Sequence, residues 1–599
     1  MLKKLLASAG IVALCAATTA TAQDIDLSTD FDTFYSFGDS LSDVGNAGRF
    51  TNAEVWTELL GLTSLPSLSG GTNFSFGGAQ AEDPAGSLAN IVPDSGDQIA
   101  LFTGGGGTFG SDDLVSLWIG GNNFLPAAGA PGATTATIGA AALDAVSDIQ
   151  ANIISLIGAG AENIVVNSLP DLSVTPLVQG VGGAAIPGAI VYTDTFNTAL
   201  AATIEGLQAS FPGVTITPVD VASSFEAILE NPGAFGYTNV TDPCLGNPSC
   251  TGFDEYLFWD GFHPTETGHQ LVAALVAASL GNASDALAAS ALGETGIWMR
   301  QRGSRMAFNR LNNLRNISGE GDEIAGVYAS GERVQADLDG SGDRSQYDYN
   351  LTSYRLGFDK KIKRGLIAGI AAGFTNSETE GELVDFDGQA VQFDAYAGLD
   401  TFNFFANLGV GFGTGSYEDY ERRIPGLPLK NTSETIDAIQ YSAGAEVGYR
   451  FGFDGIQIVP MAGLDFIHSS VDGFTESSDV GTGFNVGDQD VDALVGSLDL
   501  MLQKAWGNEG GTSYTSYFRA GYEDFLSYSG AEYDVALQGS GAGGTIDPDD
   551  PDAAGTNFGL GFAAGFANSA YLGFDYGLDL RNGEGTAHSG QLRLGYFLN

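Results

Sequence analysis

The sequence predicts two architectures in one chain: an α/β domain built on a parallel sheet, followed by an antiparallel β-barrel that spans a membrane. Three observations carry this. From Asp32 to about Asn282, short β-rich apolar runs alternate with Ala-rich helical stretches, the pattern of parallel strands covered by helices. After about Glu320 the chain turns to long segments of period two, with one face apolar or aromatic and the other polar, Gly or charged, as in a barrel with lipid outside and water inside. Charge is also unevenly placed: none of the 23 Lys and Arg residues lies between Arg49 and Arg300.

The first element is a leader. MLKKLLASAGIVALCAATTATAQ has Lys3 and Lys4, an apolar core, and Ala20-Thr21-Ala22 as a small-residue cleavage site, so residues 1–22 read as a secretory signal peptide and the mature chain begins at Gln23. Lipidation of Cys15 would need a small residue before it, and Leu14 stands there. Past the leader no apolar run of about eighteen residues is evident, so membrane attachment is expected through a barrel and not a helix.

The α/β domain is expected over residues 23–282. FYSFGDSLSDVGN, Phe34 to Asn46, reads as a buried strand that stops at Gly38 and hands over to Asp39, Ser40 and Leu41. Ser40 then sits at the carboxyl end of a strand, where open α/β sheets place their chemistry, with its N–H expected at a helix start. GTNFSFGGAQ sets Gly77 and Gly78 after a strand-like run, and LWIGGNNF sets Asn122 after the strand Leu114 to Ile119. LDAVSDIQANIISLIGAG and ENIVVNSLP follow as helix and strand. Cys244 and Cys250, in CLGNPSC, are the two cysteines of the mature chain, and an exported pair this close is expected to form a local disulfide.

The formal net charge is −50. An α/β domain whose one Lys or Arg is Arg49 has little to hold phosphates, which excludes nucleic acid as a partner. It also argues against anionic lipid and favours neutral substrates. Residues 283–319 form a good helix former, in which cations return as Arg300, Arg302, Arg305, Arg310 and Arg315. A lumen lined by acidic side chains would partner them, so this helix is expected inside the barrel.

The barrel itself is expected over residues 320–599, with roughly twelve strands, an even number as single-chain bacterial barrels require. Tight turns at KKIKRG, RFGFDG and GNEGG are expected to alternate with long polar loops at SETEGELVDFDG and TIDPDDPDAAG. A large soluble sandwich would share the period but not this sorting of loops.

A serine hydroxyl becomes a nucleophile when a base takes its proton and a third group orients that base. The α/β domain offers His263 and His269. His263 lies in LFWDGFHPT, three residues after Asp260 in a short loop that can fold the carboxylate onto one imidazole nitrogen; His269, in TETGHQLVAALVAASL, reads as structural. Oxyanion donors could come from the Ser40 N–H, the Gly77–Gly78 loop and Asn122, each worth about 2.7–4 kcal/mol when removed.

These stretches together resemble the GDSL or SGNH hydrolases. GDSLSDVGN matches the nucleophile motif at Ser40, NFSFGGA the oxyanion glycine, GGNN the oxyanion asparagine at Asn122, and DGFHP the pair Asp260 and His263. By the family's spacing the glycine falls on Gly78, with Gly77 the alternative. Asn123 departs from the pattern, which usually has Asp there. Joined to a C-terminal barrel, the arrangement is similar to autotransporter esterases. That resemblance implies a flavodoxin-like three-layer domain displayed at the cell surface by an outer-membrane barrel. It implies a Ser40–His263–Asp260 esterase or lipase acting through an acyl-enzyme on carboxylic, lipid-like esters. It further implies outer-membrane lipid and the barrel-assembly machinery as partners, a monomer, and no metal or cofactor. A catalytically silent adhesin, or an acyltransferase or deacetylase on envelope glycans, would use the same architecture. The last strand, GQLRLGYFLN, ends on Asn599 where an aromatic residue is usual, which leaves Tyr596 and Phe597 to serve assembly.

Overall fold

In a computed structural model of the chain, the described residues are 25–82, 92–281, 283–317, 325–340, 346–363, 365–401, 403–453, 455–507, 512–538, 543–551, 554–566, 569–581 and 585–598. The leader expected over residues 1–22 and the terminal Asn599 lie outside them. The chain divides into two compact units, one of Met1–Ala277 with Pro425–Pro428 and one of Ala278–Ile424 with Leu429–Asn599.

In the first unit, four parallel strands pair in the order β1 (Thr33–Gly38), β2 (Asp113–Trp118), β3 (Asn163–Asn167) and β4 (Thr215–Val219). The segment 72–76 runs along the free side of β1: Phe74 N donates to Ser36 O at 2.7 Å and Phe76 N to Gly38 O at 3.1 Å. Counted in, it makes the strand order 2-1-3-4-5, the flavodoxin-like arrangement, and puts the topological switch point at the end of β1. Phe34, Phe37, Leu114, Leu117, Ile164 and Val166 are buried along these strands, as continuous apolar runs in a sheet covered on both faces require.

Helix Thr135–Gly158 starts on a capping box, with Thr134 Oγ1 accepting from Thr137 N. It buries Ile138, Val146, Ile149 and Ile153 and packs against helix Ala185–Ser210. Its length and a mean hydropathy of 1.3 would suffice for a membrane span, contrary to the sequence expectation. Its apolar face is taken up by the α/β unit, and Asp144 and Asp148 lie along it, so its apolarity serves the core.

The second unit is a closed barrel of twelve antiparallel strands. Its first strand, β5 (Ala325–Leu338), pairs with its last, β16 (Thr586–Leu598), from Ala325↔Leu598 to Asp337↔Thr586. The pleat sorts side chains inside out relative to a soluble protein: Leu356, Ile370, Leu408 and Leu498 are exposed, while Ser353, Gln392, Asp394 and Asn407 are buried. Lipid is the solvent that accepts such a surface. The stretch SETEGELVDFDG is not the long polar loop expected. Strands Leu366–Gly381 and Val384–Thr401 continue through it and leave only 382 and 383 as the turn. Period two persists beneath the polar residues, with Ser377, Thr379, Val384 and Phe386 buried. Of the closing aromatics, Tyr596 faces outward, and the Phe597 ring lies 5.6 Å from that of Tyr571.

Helix Ser290–Ile317 packs against the barrel strands. Arg300 pairs with Asp394, Arg302 with Asp579 at 3.0 Å, Arg305 with Glu523, and Arg310 with Asp359 at 2.7 Å. The side chain of Arg315 lies outside the described residues. A small four-stranded sheet, from Phe474–Thr475 to Gly543–Ile546, packs Phe484, Val486, Tyr533, Val535 and Leu537 around Ala286 and Ala289.

Candidate active site

β1 delivers Ser40 two residues beyond its last residue, Gly38. Ser40–Ser42 form a turn and not the helix start expected. Asp39 builds that turn, its carboxylate accepting from Leu41 N at 3.0 Å and its carbonyl from Ser42 N at 3.1 Å, the Asx geometry that competes with a helix. The Ser40 N–H is therefore left for a ligand by a turn.

Ser40 Oγ lies 2.8 Å from His263 Nε2, and His263 Nδ1 lies 2.8 Å from each Asp260 carboxylate oxygen. With Nδ1–H donating to Asp260, Nε2 is left to accept the serine proton. Asp260 also accepts from the backbone N–H groups of Phe262 and His263, both at 2.8 Å. Burial pushes its pKa up, but the hydrogen bond and charge of His263, with those two N–H groups, hold it below the ordinary carboxylate range. A carboxylate that stays ionised can stabilise an imidazolium. His269 is buried in helix Glu266–Ser279, and burial, then the charges of His263 and Arg49, push it down to about 3.

The loops of Gly77–Gly78 and of Asn122 are fixed just as locally. Gly77 N donates to Asp43 Oδ2 at 2.8 Å, so its N–H is spent. Gly78 has φ +86 and open space where a Cβ would stand, a backbone only glycine adopts freely. Between the two glycines the sequence left open, Gly78 is the one whose N–H is unspent. Asn122 follows β2, and its Nδ2 donates to Ala79 O at 2.9 Å and reaches Asp39 Oδ2 at 3.4 Å. Asn123, the departure from the motif, accepts from Ala81 N at 3.0 Å through its side-chain oxygen, a bond that an aspartate would also make.

Asp43 is the residue that motif reading passed over. It is fully buried. Its carboxylate accepts four backbone N–H groups, from Gly45 at 2.8 Å, Asn46 at 2.7 Å, Ala47 at 3.0 Å and Gly77 at 2.8 Å. The first three fold the loop after Ser40, and the fourth joins it to the Gly77–Gly78 loop. The signal was present in Ser42-Asp43-Val44-Gly45, since Asp before Gly marks a side chain that bonds its own downstream backbone. Asp39 is also buried, which pushes it up to about 6; the Leu41 N–H and the charge of His263 pull it down and the charge of Asp43 adds to the rise.

Ser40, Asn122 and His263 open onto a cleft of about 100 Å³ whose other walls include Leu125, Leu169, Leu172, Val174, Phe225, Phe258 and Phe262. A few hydrogen-bonding groups beside apolar walls suit a polar reacting bond with an apolar chain next to it. Cys244 and Cys250 are joined, with Cα atoms 5.3 Å apart. Among the described residues, no three His, Cys, Asp or Glu side chains group so as to hold a metal ion.

The family model described as GDSL-like Lipase/Acylhydrolase matches residues 34–276, and that described as Autotransporter beta-domain matches residues 327–577. Lipase 1 of Photorhabdus luminescens is 24% identical over 569 residues, covering 80% of this chain and 83% of that protein. Esterase EstA of Pseudomonas aeruginosa is 25% identical over 352 residues, covering 55% of this chain and 52% of that protein. Among solved structures, the translocator domain of the autotransporter NalP from Neisseria meningitidis aligns with a TM-score of 0.39 at 16% identity, covering 49% of this chain and 97% of that one.

Proposed function

The chain is a carboxylic ester hydrolase of the GDSL family built as an outer-membrane autotransporter, and on that premise we propose that Ser40, His263 and Asp260 hydrolyse esters through an acyl-enzyme. Ser40 Oγ attacks the ester carbonyl carbon while His263 Nε2 takes its proton. The N–H groups of Ser40 and Gly78 and the Asn122 amide hold the oxyanion, which takes over the Asn122 N–H that reaches Asp39 at 3.4 Å. The carbon–oxygen bond to the alcohol breaks as His263 returns the proton to the leaving oxygen. Water then enters, gives a proton to His263, and attacks the acyl carbon; collapse of that second intermediate frees the acid and returns the proton to Ser40.

The observation that carries this reading is the unbroken line from Ser40 Oγ through His263 to Asp260, every step at 2.8 Å. Its substrate is a neutral ester with an apolar acyl chain, supported by the cleft's apolar walls and by the absence of Lys and Arg from 50 to 299. Residues 23–282 are the displayed enzyme, 283–319 the helix within the barrel, and 320–599 the translocator. The test is covalent labelling with an alkyl phosphonate ester. One phosphonyl group on the peptide that contains Ser40 is expected, and stoichiometric label on another serine, or none, would overturn the assignment.

A further inference from the structure

We infer that Phe50, which lies outside every motif, is a positioning residue whose ring touches both the oxyanion loop and the catalytic histidine and holds them in register. The inference rests on the Ser40–His263–Asp260 reading above. The Phe50 ring centroid is 5.3 Å from that of His263, with the planes at 37°. A Cβ built on Gly77 would stand 2.1 Å from Phe50 Cε2 and 2.3 Å from Cζ, so the ring lies against the bare backbone of Gly77, next to the oxyanion donor Gly78.

The chain on either side keeps the ring there. Thr51 Oγ1 donates to Pro264 O at 3.0 Å and Asn52 Oδ1 accepts from Glu266 N at 2.9 Å, both just after His263. Before the ring, Arg49 donates to the Glu58 carboxylate at 2.5 and 2.8 Å. Nucleophile loop, oxyanion loop and histidine loop thus meet at one partly buried side chain.

Asp260 fixes the imidazole through Nδ1, a bond made at one edge of the ring. An aromatic face against the imidazole restricts its tilt, which decides whether Nε2 points at Ser40 Oγ while the reacting carbonyl sits under Gly78 N–H. A misplacement of about 1 Å costs on the order of 100-fold in rate. Phe50 does not line the substrate cleft, so its loss should act on kcat and leave KM alone.

The experiment measures ester turnover by the full-length chain carrying Phe50→Ala, Phe50→Leu, Phe50→Tyr or Ser40→Ala, with a thermal melt of each. Phe50→Ala should lower kcat about 10- to 100-fold with KM within about twofold, and Phe50→Tyr, which keeps the ring face, should recover to within about threefold of the parent. If Phe50→Ala fails to fold, Phe50→Leu keeps bulk without a flat face and carries the same expectation. Parental kcat in both Phe50→Ala and Phe50→Leu, a loss confined to KM, or Phe50→Tyr no better than Phe50→Ala would overturn the inference. Hydrolysis surviving in Ser40→Ala would instead remove the site assignment itself.

Discussion

In the α/β unit the carboxylates of Asp43 and Asp260 are met by backbone N–H groups, whereas in the barrel those of Asp394 and Asp359 are met by arginine. Asp43 accepts four main-chain N–H groups and Asp260 two. Asp394 is held by Arg300 and Arg355, and Asp359 by Arg310. The reason lies in the backbone. Loops at the end of a parallel sheet have N–H groups to spare, so a short turn can cradle a carboxylate without any cation. In a closed barrel the strand N–H groups are committed to the ladder, so a lumenal carboxylate must find a side-chain donor, supplied by the helix through Arg300 and Arg310 and by a strand through Arg355. One acidic chain therefore uses two kinds of partner, and after Arg49 its basic residues resume only at Arg300, on the barrel's helix.

The largest expected effect breaks the barrel half of this contrast. Arg302→Glu with Arg305→Glu sets two carboxylates against Asp579 and Glu523, and uncompensated buried charge is strongly destabilising. The folded, heat-modifiable band on unheated gels should be lost; its survival at parental intensity would mean that the arginines are dispensable. In the α/β half, Asp43→Asn turns one acceptor into a donor facing N–H groups. Since Gly77 N is among them, ester kcat should fall about 100-fold, and parental kcat would mean that the Gly77–Gly78 loop holds itself.

A third prediction is a pH slope. His269 titrates near 3 in the folded unit against an ordinary 6.5. As pH falls below 6.5 the unfolded chain therefore takes a proton that the folded chain refuses, and stability is lost by up to about 1.4 kcal/mol per pH unit. Asp39, raised to about 6, acts oppositely: between the ordinary carboxylate value and 6 the folded chain holds the extra proton, so stability rises as pH falls. His269→Leu removes only the first effect. The melting temperature of the variant relative to the parent should climb from pH 7 to pH 5, and a constant difference would contradict it. The smallest effect is expected from reducing Cys244–Cys250. Its loop is short, so the cost sits at the low end of about 2–4 kcal/mol, and the enzyme unit should melt a few degrees lower without losing its barrel.

Much of this was legible in the sequence, because the features concerned are local or periodic. Ser40, Asn122, Asp260 and His263 sit at strand ends in short motifs, and a period of two cannot be written without exposing which face is apolar. Phe50 was not legible, since its partners Gly77 and His263 are distant in sequence and only the fold brings them to one ring. The strand-like segment 72–76 was visible, but not its place outside β1, which depends on pairing across a crossover. SETEGELVDFDG misled because polarity was read as loop, when its buried partners alternate beneath it.

Ester turnover by intact cells tests the whole scheme most directly. Cells carrying the parent chain should hydrolyse added p-nitrophenyl butyrate, and cells carrying equal folded amounts of Ser40→Ala, with the same heat-modifiable barrel, should fall to the level of cells without the chain. Equal turnover by parent and Ser40→Ala cells would contradict it.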